Sequence, residues 1–415
     1  VVIRGLSPKY NKITVNGTNL ASTDADDRST DLSMISQYML EGIEVTKAGT
    51  PDQEADVLGG TVNFKLKKAP SGLHGNLVTQ GMYNSLKKTQ DDYKLVFDIS
   101  NRFFGDRLGL LGQIDLENRN RSSHNLAANY VNTPADLDTI NPLTLSTLTL
   151  KDVARQNNRD NNLFVIDYNI PNGNISYSGL HSTINKDITT YANVYPLQTP
   201  DGQRNFDTGE LLNRIKVTSE TWKYEQQLTP DLKLDLFKSF SRSTNGDTNK
   251  VYNFRETAAY TTDVGSKSVD NIQEFTVNDT NATWFERYDY NEYSTSETEH
   301  AFGGNMEFDL KINNQISGKV KFGFKSRDKT REHDRDYEYG AFTYVAHVGK
   351  RNDTYEMFDW LNGIPENTKY APYQYFMDRD YDDEGFLDGQ YTLGPFADID
   401  KMNQLFSYFR TNWNW

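Results

Sequence analysis

The chain has 415 residues, 44 of them Lys or Arg against 58 Asp or Glu, for a formal net charge of −14; that balance argues against a general nucleic-acid binder, which needs a basic footprint. It has no Cys, so disulfide scaffolds, thiol nucleophiles and Cys-ligated metal centres are excluded. Aromatics reach 13% while all hydrophobics total 36%, and no run approaches the roughly 18 apolar residues of a membrane helix; a β-barrel stays open, because its lipid-facing residues alternate with polar lumen residues.

The first residues, VVIRGL, read as a strand with neither a charged n-region nor an apolar h-region ahead of them, so a mature chain or a fragment is expected. Up to Pro70, short β-branched runs surround one predicted short helix. The runs are Val1 to Ile3, Ile13 to Val15, Ile43 to Val45 and Thr61 to Phe64; the helix is Leu32 to Met39, behind a capping Ser29 or Thr30. This reads as a small mixed α/β module. Asn16-Gly17 suits a hairpin turn needing positive φ, and Gly59-Gly60 permits close backbone approach before the next strand. Arg4 and Arg28 lie near the acidic run Asp24, Asp26, Asp27 and Asp31. Charges seldom sit buried unpaired, which predicts a buried Arg–Asp tie between loops; ligand contact is the sharper alternative.

The string VVIRGLSPKYNKITVNG, followed by LASTDADDRSTDLSMISQYMLEGIEVTKAGTPDQEADVLGGTVNFKLKKAP, resembles the second half of the plug domain of TonB-dependent outer-membrane receptors. Ile3-Arg4-Gly5, Val15-Asn16-Gly17, Ile43-Glu44-Val45 with Lys47, and Gly59-Gly60-Thr61-Val62-Asn63 carry the resemblance in order. It implies a transporter rather than an enzyme: a plug over 1–69, with Arg4, Gly5, Asn16, Gly17, Gly59 and Gly60 as structural residues, inside a membrane β-barrel of 22 antiparallel strands when complete. It also implies that an inner-membrane TonB–ExbB–ExbD complex pulls on an N-terminal box. That box and the first half of the plug are not in the sequence, so the chain is expected to be incomplete. The plug-apex loop, with Ser22, Thr23, Asp24, Asp26, Asp27 and Arg28, would lie closest to ligand. The VNG form and TPDQEADVLGG look more like the broad branch of the family than the branch lidded by a lipoprotein, whose DG-containing pattern is missing; an outer-membrane lipoprotein stays open as a partner.

After Pro70 the sequence turns to alternating segments, such as Tyr93, Leu95, Phe97 and Ile99 interleaved with Lys94, Asp98 and Ser100. Each run presents one greasy and one polar face, the greasy one inward in a soluble sandwich and outward in a membrane barrel. Nine strands are predicted: His74–Tyr83, Tyr93–Phe103, Leu108–Asn118, Leu163–Ile170, Asn174–Thr183, Asn213–Glu225, Leu232–Ser241, Glu292–Ile312 and Gln315–Lys329. Tight turns at Gly105-Asp106, Pro171-Asn172-Gly173, Thr229-Pro230-Asp231 and Asn313-Asn314 alternate with long joins at Arg119–Asn162, Ile184–Leu212 and Arg242–Asn291. Short turns inside and long loops outside are the pattern of an outer-membrane barrel. Nine is odd and an open barrel exposes edges, so residues 70–415 are expected to be the N-terminal part of a larger barrel.

From Thr330 to Trp415 strand patterning weakens and aromatics dominate: Tyr337, Tyr339, Tyr344, Tyr355, Phe358 and Trp360, then Tyr373, Tyr375, Phe376, Tyr381 and Phe386, with Trp413 and Trp415 at the end. Ring faces stack on sugars or peptides, so Tyr373, Tyr375 and Tyr381 are candidate ligand contacts; a girdle at the lipid interface competes. Asp378, Asp380, Asp382, Asp383 and Glu384 could serve Ca²⁺ in an outer loop, although the glycine of an EF-hand loop is missing. No other cofactor is expected. His74, His124, His181, His300, His333 and His347 show no short ligand spacing, and His333, between Glu332 and Asp334, is a candidate contact to a metal chelate. No nucleophile elbow, P-loop or dinucleotide fingerprint occurs, so no catalytic residue is assigned. Arg327, Lys329, Arg331 and Arg335 would face lipid-A phosphates of lipopolysaccharide or an anionic substrate.

The resulting reading is TonB-dependent uptake of a siderophore, oligosaccharide or peptide across the bacterial outer membrane. A non-transporting receptor-like scaffold and a soluble all-β carbohydrate-binding protein are the alternatives.

Overall fold

The computed structural model describes residues 2–24, 27–47, 58–132, 143–199, 201–260, 264–277, 279–311, 317–341, 358–364, 372–382 and 384–412. Asp26, Asp383, His347, Tyr344, Tyr355, Trp413, Trp415, the Asn313-Asn314 turn and most of the TPDQEADV string lie outside them.

A small sheet comes first, built from β1 (Asn11–Val15), β2 (Thr18–Asn19), β3 (Leu40–Thr46) and β4 (Gly60–Leu66) in the order β2-β1-β4-β3. Strand β1 runs parallel to β4, and the other pairs are antiparallel. The β1–β2 hairpin turns on Asn16 at φ 49° and Gly17 at φ 81°, the two left-handed positions that an Asn-Gly turn supplies. Gly60 is needed for space, since a Cβ there would lie 2.7 Å from the Thr46 carbonyl oxygen.

The predicted helix over Leu32 to Met39 is absent. Two 3-10 turns, Leu32–Met34 and Gln37–Met39, take its place, capped by Asp31 and Ser36 rather than by Ser29 or Thr30. Asp31 accepts from the Ser33 amide at 2.9 Å and Ser36 from the Tyr38 amide at 3.2 Å. A second cap inside the segment restarts the chain after an extended Ile35, and both turns bury a methionine, Met34 and Met39. The expected buried Arg–Asp tie is not found among the described residues either: Arg4 and Arg28 are exposed.

Among the described residues the large sheet holds ten antiparallel strands. They are β5 (His74–Asn84), β6 (Thr89–Phe103), β7 (Leu108–Asn120), β8 (Ser123–Asn132), β9 (Leu143–Ile170), β10 (Gly173–Pro196), β11 (Arg204–Thr229), β12 (Leu232–Glu256), β13 (Thr283–Lys311) and β14 (Ser317–Ala341). Pairing is sequential except that β7 and β8 both pair β9, along its residues 156–168 and 143–153 respectively. All nine predicted strands are present, most of them longer, and β8 is an addition. The three joins expected to be long loops are largely strand: 119–162 holds β8 and much of β9, 184–212 continues β10 into β11, and 242–291 continues β12 and opens β13. Alternation fails as a signal there because both faces are polar, as in Asn157 to Asn162, while cross-strand hydrogen bonds hold the ladder regardless.

Phe97, Ile114, Phe164, Trp222, Phe302 and Phe324 stand exposed on one face of this sheet. On the other, Leu111, Leu163, Val165, Leu180, Ile184, Ile215 and Val217 close against Ile3, Val15, Met34, Met39, Phe64 and Leu66 of the small sheet and its flanks. The greasy face therefore points away from the enclosed module, as in a membrane barrel. No helix among the described residues is long and apolar enough to cross a membrane.

A second core lies toward the rim opposite the tight turns. Residues 358–364, 372–382 and 384–412, with helix α1 (Ile399–Asn412), fold as a cap against the far halves of β9 to β13. Strand β14 reaches Ala341, well past the predicted end at Lys329, so the loss of strand pattern at Thr330 does not mark the end of the sheet.

Candidate functional site

The residues between plug and wall make the site, and they divide into a dry side and a wet side. On the dry side, residues 16–24 cross the inner faces of β10 to β14 through polar contacts that alternation places inward. The Asn16 side-chain amide donates to Ser178 Oγ at 3.3 Å, and the Thr18 and Thr221 hydroxyls meet at 2.9 Å. Next come the Ala21 amide to Ser241 Oγ at 2.9 Å, and Asn245 Nδ2 to the Thr23 carbonyl at 2.8 Å. Ser243 donates to the Ser22 carbonyl. Asn19 donates to Glu299 at 2.9 Å and the Ser22 amide to Glu297 at 2.9 Å.

Glu297 is 1% exposed. It is tolerated there because the Lys329 ammonium lies 2.7 Å away and the Arg331 guanidinium 3.7 Å away. Arg331 also donates to the carbonyls of Asp24, at 2.7 Å, and Asp27, at 2.8 Å. The guanidinium that ties the apex loop thus comes from the wall, not from Arg4 or Arg28. Further ties include Ser36 donating to Asp115, Lys223 to the Asn16 carbonyl, Ser182 to the Met34 carbonyl, and Arg102 to the Ala69 carbonyl at 2.7 Å, where the small module passes into the wall. Arg102 is itself held by Asp167 at 2.8 Å.

Beside these contacts, two gaps remain along β13 and β14. A cavity of about 330 Å³ separates Lys9, Lys12 and Arg28 from Arg327, Lys329 and Arg331. Below it, about 640 Å³ separates Thr14, Glu44 and Asn63 from Asp235, Glu307 and Lys321. Lys12 lines both. The basic residues of β14 consequently face the lumen rather than lipid: Arg331 holds plug carbonyls, and Arg335 donates to Asn291 at 2.8 Å.

The other candidate residues fall into three groups. Ser22 and Thr23 are buried in the wall contact, Asp24 and Asp27 are half-buried beside it, and Arg28 reaches the cavity. Arg4 at φ 54° and Gly5 at φ 74° make the turn closed by the Leu6 amide on the Ile3 carbonyl at 3.0 Å; a Cβ on Gly59 would strike Asn11 Oδ1. Tyr373, Tyr375 and Tyr381 belong to the cap. Tyr373 is fully buried between Phe206 and Phe254 with its hydroxyl on the Pro395 carbonyl at 2.7 Å, and burial pushes its phenol well above the ordinary value. Tyr375 donates to the Gly363 carbonyl at 2.9 Å, and Tyr381 packs on Tyr191 and Phe396. These rings are spent on packing the cap, which is the difference from the ligand-stacking expectation.

Asp378, Asp380 and Asp382 do not converge: Asp378 accepts from the Asp380 amide at 2.9 Å and Asp382 from the Glu384 amide at 2.8 Å. Among the described residues no three acidic or His side chains gather as a metal site. His333 instead shares a hydrogen bond with Thr295 at 2.7 Å. Sequence reading missed Ser241, Ser243, Asn245, Glu297 and Glu299; a row of small polar and acidic residues at period two on one face is the signal that could have found them.

A module threaded against the inner face of a large antiparallel sheet defines a plugged β-wall. The family model described as TonB-dependent Receptor Plug Domain matches residues 1–61, so this first segment is similar to the plug domain of TonB-dependent receptors. No curated protein sequence matches the chain. Among solved structures it is similar to the siderophore receptor PirA from Pseudomonas aeruginosa, at 10% identity and a TM-score of 0.24 over 81% of this chain and 79% of that one. The siderophore receptor PiuA from Acinetobacter baumannii gives 12%, 0.27, 80% and 55%. A copper transporter, OprC, gives 11%, 0.25, 81% and 54%. This chain thus spans little more than half the length of the last two, and overlaps this loose assign neither strand number nor cargo.

Proposed function

We propose that the whole protein is an active transporter that carries a solute across the bacterial outer membrane. Residues 1–69 form the second half of the plug, and residues 70–415 form the N-terminal part of a barrel of 22 strands. In this reading solute meets the outer mouth beside Asp24, Asp27 and Arg28, and the TonB–ExbB–ExbD complex supplies the energy that shifts the plug. No bond in the solute is made or broken. Siderophore, oligosaccharide and peptide are the cargo classes to be compared.

The observation that carries this reading is the kind of bond that docks residues 16–24. Hydrogen bonds to wall hydroxyls and amides exchange for water at a net cost of roughly 1 kcal/mol each, and those to Glu297, Glu299 and Arg331 at roughly 1.5–3 kcal/mol, so the dock holds at rest and yields to work done on the plug. The Thr18–Thr221 pair tests it. This chain has no Cys of its own to compete, so in it the Thr18→Cys/Thr221→Cys pair can form only that bridge, between side chains already 2.9 Å apart at their oxygens. Oxidation is expected to abolish solute uptake in whole cells and reduction to restore it, with uptake absent in cells lacking TonB. Uptake indifferent to loss of TonB would overturn the reading.

A further inference from the structure

The outward face of the sheet, which bears Phe97, Phe164 and Trp222, changes character along one row. Asn162, His181, Thr218, Arg242 and Thr298 are register partners from β9 to β13, and every one is polar. One outward position nearer the tight turns, Phe164, Gly179, Glu220 and Phe240 form the next row, and below it the rings of Tyr177 and Trp222 lie 4.7 Å apart. A Tyr–Trp pair where apolar residues give way to polar ones marks a lipid interface. Tight turns belong to the periplasmic side of an outer-membrane barrel, so this border is the one with the outer leaflet.

A cleft of about 460 Å³ crosses that border. Its walls are Phe97, Ile114, Phe164 and Tyr177, and its floor includes Gly112 and Gly179; a Cβ on Gly112 would meet no atom within 4 Å. It runs from β6 to β11, about 19 Å at roughly 4.8 Å per strand step. Register rows climb away from the tight turns in that direction. Leu108, beside its turn, shares a row with Tyr168, Ile175, Tyr224 and Leu236, and Leu236 is farther along its strand from the Thr229-Pro230-Asp231 turn. The cleft therefore descends from a polar end at His181, Thr218 and Glu220 into the apolar band. Above that end Lys216 and Arg242 occupy diagonal outward positions of β11 and β12, both exposed. No carboxylate among the described residues is paired with either, and the nearby Asp187 is taken by Arg214 at 2.6 Å.

A cation at the edge of an apolar band is stabilised by an anion held at the same depth, and a guanidinium takes phosphate oxygens two at a time. An acyl chain that enters such a groove from headgroup level gains apolar burial along its length. We propose that this cleft is a binding site for lipid A, with a phosphate on Arg242 and Lys216 and one acyl chain lying down the cleft toward Phe97. Glu220, at the polar end, accepts from a hydroxyl of the sugar or of a 3-hydroxyacyl chain, donors that the acyl chains of a diacyl phospholipid lack. The cations that sequence reading assigned to lipid A, on β14, face the lumen; those that meet the lipid lie on β11 and β12. The inference goes beyond uptake and rests only on the outer-membrane placement of the sheet.

Native mass spectrometry of the full-length receptor in detergent, titrated with bisphosphorylated lipid A, tests it. One lipid A is expected to stay bound to the intact protein, and lipid A stripped of both phosphates to bind about tenfold or more weakly. Lys216→Gln/Arg242→Gln should weaken binding of the bisphosphorylated form by a similar factor and leave the dephosphorylated form unaffected. Gly112→Leu fills the cleft from its floor without a clash and should weaken both forms. Lys319 lies on the lumen face, paired with Glu307 and Asp309, so Lys319→Gln should change neither by more than about threefold. Absence of a lipid A adduct, equal binding of phosphatidylethanolamine or phosphatidylglycerol, or unchanged binding by the double variant or by Gly112→Leu would overturn the proposal. The titration needs no energy source, so lipid A binding without TonB-dependent uptake removes only the transport reading, and TonB-dependent uptake without a lipid A adduct removes only this one.

Discussion

The two cores of this molecule are built from different materials. Beneath the plug the buried side chains are mostly aliphatic, with Phe64 the one buried ring of that cluster among the described residues, and polar ties surround them. In the cap, Tyr252, Phe254, Phe285, Tyr373, Phe376, Phe396 and Phe409 interlock as rings. Ring burial is held by area and shape, which water cannot replace, whereas each hydrogen bond of the plug has an equivalent in water. The difference teaches that the cap is fastened as permanent structure while the plug is fastened reversibly.

The largest expected break in this contrast is Phe376→Ala. Its ring is wholly buried against Phe254, Phe285 and Trp360, so truncation should cost about 3–5 kcal/mol. Limited proteolysis should then cut within 384–412 while strands β1, β3 and β4 stay protected; equal loosening of both would dissolve the distinction. Glu297→Ala removes the acceptor of the Ser22 amide and the partner of Lys329, for about 2–3 kcal/mol. Hydrogen exchange should speed up at residues 18–24 and not in α1.

Alkali sharpens the comparison from the other side. Tyr260, in the cap-side loop with its hydroxyl on the Gln203 carbonyl, is pushed up to about 12 by burial. A phenol that keeps its proton more tightly when folded stabilises the fold fully below its unfolded value near 10. That contribution is lost as pH rises from about 10 to about 12. Tyrosinate absorbance and cap release should therefore rise together in that window, ahead of any change in the plug. The smallest effect is Thr221→Val, which leaves the Thr18 hydroxyl without that partner and should cost about 1 kcal/mol, read as a slight gain in exchange at residues 18–19.

Much of this architecture is legible in the chain. Asn16-Gly17 announces its turn because a left-handed pair closes that hairpin, and the nine strand cores show themselves wherever one face is apolar and the other polar. Upper strand halves such as Asn157 to Asn162 stay hidden because both faces are polar there. The helix expected over Leu32 to Met39 fails because the Ser36 cap competes with helix continuation. Tyr373 reads as a ligand contact because composition cannot distinguish a ring that stacks on a solute from one that fills a core. Glu297 shows in the sequence only as a member of a period-two polar row, since its partners Ser22 and Lys329 are brought to it by the fold.

The parallel pairing of β1 with β4 has a mechanical consequence. Asn11 lies beside Gly60 and Val15 beside Phe64, and the far end of β4 leads through Ala69 to the Arg102 clamp. Tension entering at residue 11 and resisted at residue 69 pulls the two strands from opposite ends. Their ladder is then loaded in shear, with every rung sharing the force, instead of being peeled one rung at a time. A sheet loaded in that way is built to stay whole under a force that its moorings to the wall would not withstand.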